Sequence, residues 1–303
     1  MRRRRGLLHP VRRMPGIKEK RMEIDRNEVI AGLGGEAAVK RMDHETRADA
    51  LEGLLSAKLD AAVAARQGRK TYPTVAELES QIDQRGYRRG VGRLFLHDHS
   101  NKNLNLDQGK LRVPRLKPMP EKPTLVDFFK YRFIPVAHLL QSARLARRRG
   151  ASEEVILACL LHDAGQALMK TDHGWWGAQI IEPYVSERVA FAVKYHQALR
   201  FYPDPSVGYE YPESYFQTFG IDYVPLPHVQ AAYEYARNHK WYMDARLVTC
   251  NDLYAFDPNA EVSIDEFTDI IGRHFRQPRE GLGYDNTPVT HMWRTMINPD
   301  QPL

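Results

Sequence analysis

Four histidines and two aspartates in the middle of this chain, His138, His162, Asp163, His173, His196 and Asp252, are side-chain types that bind metal ions. Most of them stand where a helical apolar stripe would place an oil-like residue. In Trp241-Ala245-Val248-Asp252-Phe256 a carboxylate takes the fourth place in a row of otherwise apolar positions. Val189-Ala192-Val193-His196 and Val155-Ala158-Cys159-His162 repeat the arrangement with imidazoles. Spacings of three and four keep side chains on one face of a helix, so these polar groups are expected to be buried. An unpaired buried carboxylate is costly, and a buried set of neutral imidazoles and carboxylates is most economically satisfied by one or two metal ions.

The elements that must position these groups are helical. Pro135 suits the first turn of a helix that carries His138 and ends at Gly150. Ser152 caps the next, with Glu153 and Glu154 complementing its dipole; it delivers His162 and Asp163 at its end and stops near Gly165. A further segment begins around Asp172-His173 and is ended or bent by Pro183, and Ser186-Glu187 opens the helix of His196. Residues 202–227, with five prolines, read as a long ordered loop of the kind used for lids. Helices are expected over 228–238 and 240–256, the second bearing Asp252. Ser263-Ile264-Asp265-Glu266 is a capping box for a last helix through His274, with an irregular tail from Gln277. Upstream, residues 27–68 have helical character and 74–84 look like a short helix. Residues 98–123, with Pro114, Pro118, Pro120 and Pro123, read as loop and linker. With no internal repeat and no strand alternation, the expected fold is all-α, a helical bundle with an N-terminal helical extension. Its expected units are a tail over 1–26, the extension over 27–121, a metal-binding core over 122–260 and a C-terminal stretch over 261–303.

Composition narrows the function classes. The chain has 303 residues, 43% of them hydrophobic, enough for a substantial core. No apolar run of about 18 residues occurs, which excludes a spanning helix and any membrane role that needs one. Cys159 and Cys250 are too few for a disulfide framework or a thiolate metal site, and a reduced cytoplasmic protein is expected. The net charge of +6 belongs to the first 26 residues, where ten Lys/Arg face three acids; the remaining 34 Lys/Arg and 35 Asp/Glu sum to −1. Arg2 to Arg5 could meet phosphate backbones, but a solvated, disordered arm is the favoured reading, and nucleic acid is not an expected partner. A signal peptide is not expected, since Leu7-Leu8 runs into His9-Pro10, and translation could begin at Met14 or Met22.

Adjacent residues on a helix point about 100° apart, yet at a helix end His162 and Asp163 can flank one cavity, and a carboxylate has two oxygens with which to bridge two cations. Leu160-Leu161-His162-Asp163-Ala164-Gly165, preceded by a helical His and followed by a helical Asp, resembles the HD-domain superfamily. His173 in His-Gly-Trp-Trp-Gly-Ala and His196 in Tyr-His-Gln-Ala-Leu-Arg resemble the two additional histidines of one branch. That branch is the mixed-valent di-iron oxygenases that cleave inositol and a hydroxylated phosphonate. Asn251-Asp252-Leu253-Tyr254 is similar to its closing motif. The resemblance covers roughly residues 124–256. It implies one iron on His138, His162, Asp163 and Asp252. A second would sit on His173, His196 and the bridging Asp163, with O₂ as co-substrate and oxidative C–C or C–P cleavage of a small polar metabolite. Gln166 replaces the Lys or His of those relatives, and Ala255-Phe256 stands where they carry a basic residue.

Most members of the superfamily are phosphohydrolases, so a metal-dependent hydrolase acting on a phosphoester or nucleotide is the alternative. Arg200, one turn beyond His196, is either a clamp for an anionic substrate group or a salt-bridge partner. Gln166, Lys170, Tyr131 and Tyr254 are further candidate substrate contacts. His97 and His99 are read as surface residues, and His228, His239, His274 and His291 as structural.

Overall fold

The computed structural model describes residues 25–66, 106–107, 110–111, 118–133, 135–169, 172–220 and 224–297. The basic tail, the helix expected over 74–84, His97, His99 and Lys170 lie outside the described residues. The N-terminal extension opens with α1 (Arg26–Gly32), whose Asn27 and Glu28 N–H groups donate to the Asp25 side chain. It continues through α2 (Glu36–Arg41) to the long α3 (His44–Arg66).

A two-residue hairpin pairs Leu106–Asp107 with Lys110–Leu111 inside the stretch expected to be loop. Thr124 and Asp127 form a reciprocal capping box that starts α4 (Leu125–Tyr131). Next come α5 (Val136–Arg148) and α6 (Glu153–Leu161), the latter capped by Ser152 as expected. A short 3₁₀ turn, Ala164–Ala167, leads to α7 (His173–Ile181) and then α8 (Glu187–Leu199), which Ser186 caps.

The proline-rich 202–227 stretch is not loop throughout: Pro212 precedes a helix, α9 (Glu213–Phe219), whose Tyr215 is buried. After α10 (Pro227–Arg237) and α11 (Tyr242–Asp252), the Ser263 capping box opens a 3₁₀ turn that runs into α12 (Thr268–His274). The tail expected to be irregular contains α13 (Thr290–Ile297), which drives Trp293 into the core. Among the described residues the protein is therefore an all-α bundle, and no helix is long and apolar enough to cross a membrane.

At its centre lies α6. Seven consecutive residues, Val155 to Leu161, are buried, so this helix is apolar all round and must be enclosed on every side. It packs on α5, α8 and α11, α8 in turn packs on α7 and α11, and α3 lies along α5. An aromatic cluster closes the far end: Trp293 meets Phe128 edge-on at 4.7 Å and Tyr184 at 5.9 Å, and its indole N–H donates to the Ile180 carbonyl at 3.2 Å. Removing that indole leaves a cavity and an orphaned carbonyl together. Trp293→Ala is expected to destabilise the protein by about 3–5 kcal/mol, measured as a lowered urea midpoint with an unchanged slope.

Candidate metal centre

All six residues singled out in the sequence converge at the ends of five elements. His138 comes from the first turn of α5, His162 from the C-cap of α6 and Asp163 from the residue after it. His173 begins α7, His196 lies in the last turn of α8 and Asp252 ends α11. Every one is buried. Asp163 has left helical geometry (φ −102°, ψ 9°), and that turn lets two neighbouring residues face one cavity. Asp172, at φ +52°, supplies the matching turn on the other side and brings His173 inward.

The Asp163 carboxylate divides between two groups of ligands. Its Oδ2 is 3.7 Å from His138 Nε2, while Oδ1 is 3.0 Å from His173 Nε2, 3.9 Å from His196 Nε2 and 3.6 Å from His162 Nε2. Asp252 Oδ1 lies 3.0 Å from His138 Nε2 and 3.6 Å from His162 Nε2. Three trios have ligand atoms all within 4.8 Å of one another: His138-His162-Asp163, Asp163-His173-His196, and His162-His196-Asp252. These buried groups could hold a metal ion.

Backbone carbonyls decide which nitrogen of three rings is free. His138 Nδ1 meets the Ala255 carbonyl at 3.2 Å, His162 Nδ1 that of Cys159 at 2.8 Å and His196 Nδ1 that of Val193 at 2.6 Å. A carbonyl only accepts, so Nδ1 carries the hydrogen and the Nε2 lone pair points into the cluster. His138 Nε2 and His162 Nε2 consequently confront each other at 3.2 Å. Two lone pairs at that distance repel unless a proton or a metal cation lies between them, and the donor set fits a cation.

Without metal, protons hold the site together. Burial opposes charge on His162 and His173, but Asp163 and the carboxylates around it lift both, each to about 9. Burial, reinforced by those two charges, pushes His196 down to about 3. Asp163 and Asp252 stay well below the usual carboxylate range, because the surrounding imidazoles outweigh the effect of burial.

Glycines make this convergence possible. A Cβ on Gly165 would lie 2.5 Å from the His173 carbonyl oxygen and 2.7 Å from Gly177 N. One on Gly174 would lie 3.1 Å from the Val193 carbonyl oxygen and 3.2 Å from His196 Cε1. The His-Gly-Trp-Trp-Gly-Ala motif thus works by close backbone approach as well as by its histidine.

The expected substrate contacts fare differently. Arg200 is no open clamp: it is buried, with Nη1 on Glu52 Oε2 at 2.6 Å and Nη2 donating to Asp49 Oδ1. Gln166 is buried in the turn after Asp163, its N–H donating to the Asp163 carbonyl. Tyr254 is half-buried under the Arg149 guanidinium, 5.6 Å from its centroid. Tyr131 is half-buried at the end of α4, with no hydrogen bond to the cluster among the described residues. Of the histidines read as structural, His228 pairs with Glu45 and His274 with Glu153, His239 stacks on Phe191, and His291 accepts from Arg294.

Sequence reasoning missed the contribution of α3. Glu45, Asp49, Glu52 and Ser56, spaced four, three and four apart, form a buried polar stripe on that helix. Carboxylates at core spacing were the available signal. No family model and no curated protein matches the chain.

Two outcomes follow from this geometry. Gly165→Ala forces α7 away from the His-Asp turn, and is expected to cost about 1–3 kcal/mol and to weaken metal retention, read by urea unfolding and metal analysis. Metal-free protein should lose thermal stability as pH rises from about 6.5 to about 9. In that window the folded chain still holds protons on His162 and His173 that the unfolded chain has released, while His196 is neutral in both states. Metal must displace those protons, so its affinity should rise over the same range, with proton release visible in calorimetry in buffers of differing ionisation enthalpy.

Proposed function

We propose that the protein is a di-iron, O₂-dependent oxygenase that cleaves a C–C or C–P bond of a small hydroxylated metabolite. The facing Nε2 atoms of His138 and His162, whose Nδ1 hydrogens are engaged by carbonyls, support a metal-dependent reading, because they call for a proton or a metal cation between them. Asp163 turns Oδ2 toward His138 and Oδ1 toward His173 and His196, which supports two cations rather than one; His162 Nε2 lies 3.6 Å from Oδ1 as well, and its place beside His138 and Asp252 around the first cation is what the resemblance implies. Two histidines and one carboxylate is the composition used at non-haem iron for oxygen activation. Iron in such a pair supplies redox chemistry with O₂ and a Lewis-acidic site for a substrate hydroxyl. The resemblance of the motif series to the di-iron branch of HD-domain proteins points the same way.

The chain's own residues would then hold and shield the site. The carbonyls behind His138, His162 and His196 fix each ring's tautomer, and the apolar wall of α6 keeps bulk water away. Phe256, stacked on His138 at 4.4 Å, covers the first site. Phosphoester hydrolysis gains less support. Arg200, the cation expected to receive an anionic group, is already paired with two carboxylates. For the same reason the proposed substrate is assigned a hydroxyl and no anionic group held by Arg200.

Protein purified anaerobically is expected to carry two irons per chain and, once partly oxidised, to show a mixed-valent EPR signal. One member of a panel of small polyols, amino alcohols and hydroxylated phosphonates should perturb that signal and drive O₂ uptake. His173→Ala should retain about one iron and lose O₂ uptake. Bound Mn or Mg with turnover of a phosphoester would overturn the proposal in favour of hydrolysis.

A further inference from the structure

Of the three carbonyls that receive an Nδ1 hydrogen in the cluster, one differs in origin. His162 and His196 each use the carbonyl three residues earlier on their own helix, that of Cys159 at 2.8 Å and that of Val193 at 2.6 Å. Helical geometry supplies those partners without further help. His138 instead uses the Ala255 carbonyl, 117 residues away, at 3.2 Å. Ala255 belongs to a strap, residues 253–257, that leaves the end of α11 after Asp252 and passes over the start of α5. The same strap lays Phe256 on the His138 ring, with 4.4 Å between centroids and 23° between planes. A contact of 3.2 Å is at the long end for an N–H to oxygen bond, so the strap needs a second hold.

Gln141 provides it. This residue is buried one turn after His138, on the same face of α5. Its Nε2 donates to the Asp257 carbonyl at 2.9 Å, and its Oε1 accepts the Asp257 N–H at 2.9 Å. Because a carbonyl only accepts and a backbone N–H only donates, these partners fix which way the amide faces. Gripping both polar groups of one residue fixes the peptide planes on either side of it, two residues from the carbonyl that orients His138. Asp257 is stiffened further by its own turn, with Oδ1 accepting the Asn259 N–H at 2.8 Å and the carbonyl accepting the Ala260 N–H at 3.2 Å. At the other end, the Ala255 N–H donates to the Asp252 carbonyl at 3.1 Å. The strap thus starts from one clustered carboxylate and is clamped beside one clustered imidazole.

We propose that Gln141 is the positioning residue for His138: by clamping the 253–257 strap to α5 it sets the ring's tautomer and aims Nε2 at the first cation. This rests on the two-cation assignment made above. Losing an outer partner that orients a ligating imidazole typically weakens metal binding by about 10–100-fold. Gln141 acts at one remove, through the strap, so the lower end of that range applies. His196 has its carbonyl built into its own helix and does not depend on the clamp.

The test is a titration of metal-free protein with Zn(II) alone, a diamagnetic stand-in for Fe(II), followed by NMR of isotopically labelled histidine nitrogens. The His138 ring reports the first ion and the His196 ring the second. Gln141→Met keeps the length and packing of the side chain but removes both bonds to Asp257. It should weaken the ion at His138 by about tenfold and leave the ion at His196 within about twofold of wild type. Gln141→Glu keeps the acceptor for the Asp257 N–H and should fall between. Ser142→Ala, at the adjacent buried position of α5, should change neither ion. A second measurement needs no metal: the His138 Nδ1 hydrogen should exchange with solvent faster in Gln141→Met than in the wild type, because the strap opens more often. If thermal unfolding shows that Gln141→Met does not fold, Gln141→Glu decides. Equal weakening of both ions overturns the inference, as does an ion at His138 held as tightly as in the wild type. Wild-type protein that takes up one ion or none overturns the two-cation assignment itself, and the clamp then stands or falls on the exchange of the His138 hydrogen alone.

Discussion

Where α5, α6, α8 and α11 meet, two imidazole lone pairs are turned on each other at 3.2 Å because the opposite edge of each ring is already bonded to a carbonyl. Two ionised carboxylates border the same space. At about 4 Å, two unit charges in a protein interior of effective dielectric about 20 interact by about 4 kcal/mol. Proton or metal occupancy of this cluster is therefore comparable in size to the net stability of a domain. Protons satisfy it only partly: they settle on His162 and His173 and are driven off His196, so one ring is left as an acceptor among charged neighbours. Cations of charge two can serve every ring at once.

Rigidity comes from α6. A helix with buried residues on every side cannot turn about its axis without carrying side chains out of fitted pockets, so the direction in which His162 leaves it is set by Val155 to Leu161. Gly165 then brings the backbone of α7 within a distance that any side chain would prevent, and Gly174 and Gly177 keep tight contacts that a Cβ would strain. The clustered histidines and Asp163 from three consecutive elements share a few ångströms with these small residues between them. The apolar helix fixes orientation, and the glycines fix separation.

Three of the six clustered residues were legible because they interrupt a local pattern, and His138, Asp163 and His173 through their order along the chain. Asp252 and His196 break apolar stripes on their own helices, and His162 ends one, so the signal lies within about ten residues of each. Caps such as Ser152 and Ser263 were legible for the same reason, being local hydrogen bonds between near neighbours. What escaped was nonlocal. Asp49 reads as one charge in an Ala-rich helix until Gln197 and Arg200, roughly 150 residues later, arrive beside it. The short helices α9 and α13 escaped as well: helices of seven and eight residues hold together through Tyr215 and Trp293 buried against other elements, not through their own propensity. Arg200 was legible as either a clamp or a salt-bridge partner, but not as one or the other, because its partners lie in the segment that carried no motif.

The engagement of Arg200 changes how charge is distributed around the whole centre. A free guanidinium one turn from His196 would repel cations from the adjoining site and oppose metal binding. Asp49 and Glu52 neutralise it in place, and Asp49 keeps one oxygen without a hydrogen-bond partner. Seen from the cluster, the α3 face therefore presents negative rather than positive potential, which favours cations at His173 and His196. Arg200 in turn gives the buried acids of α3 a reason to face inward, since carboxylates at that spacing would otherwise turn to solvent. Extension and bundle thus depend on each other: the Arg200 guanidinium holds the acids of α3 inward, and those acids offset a positive charge beside groups that could hold a metal ion.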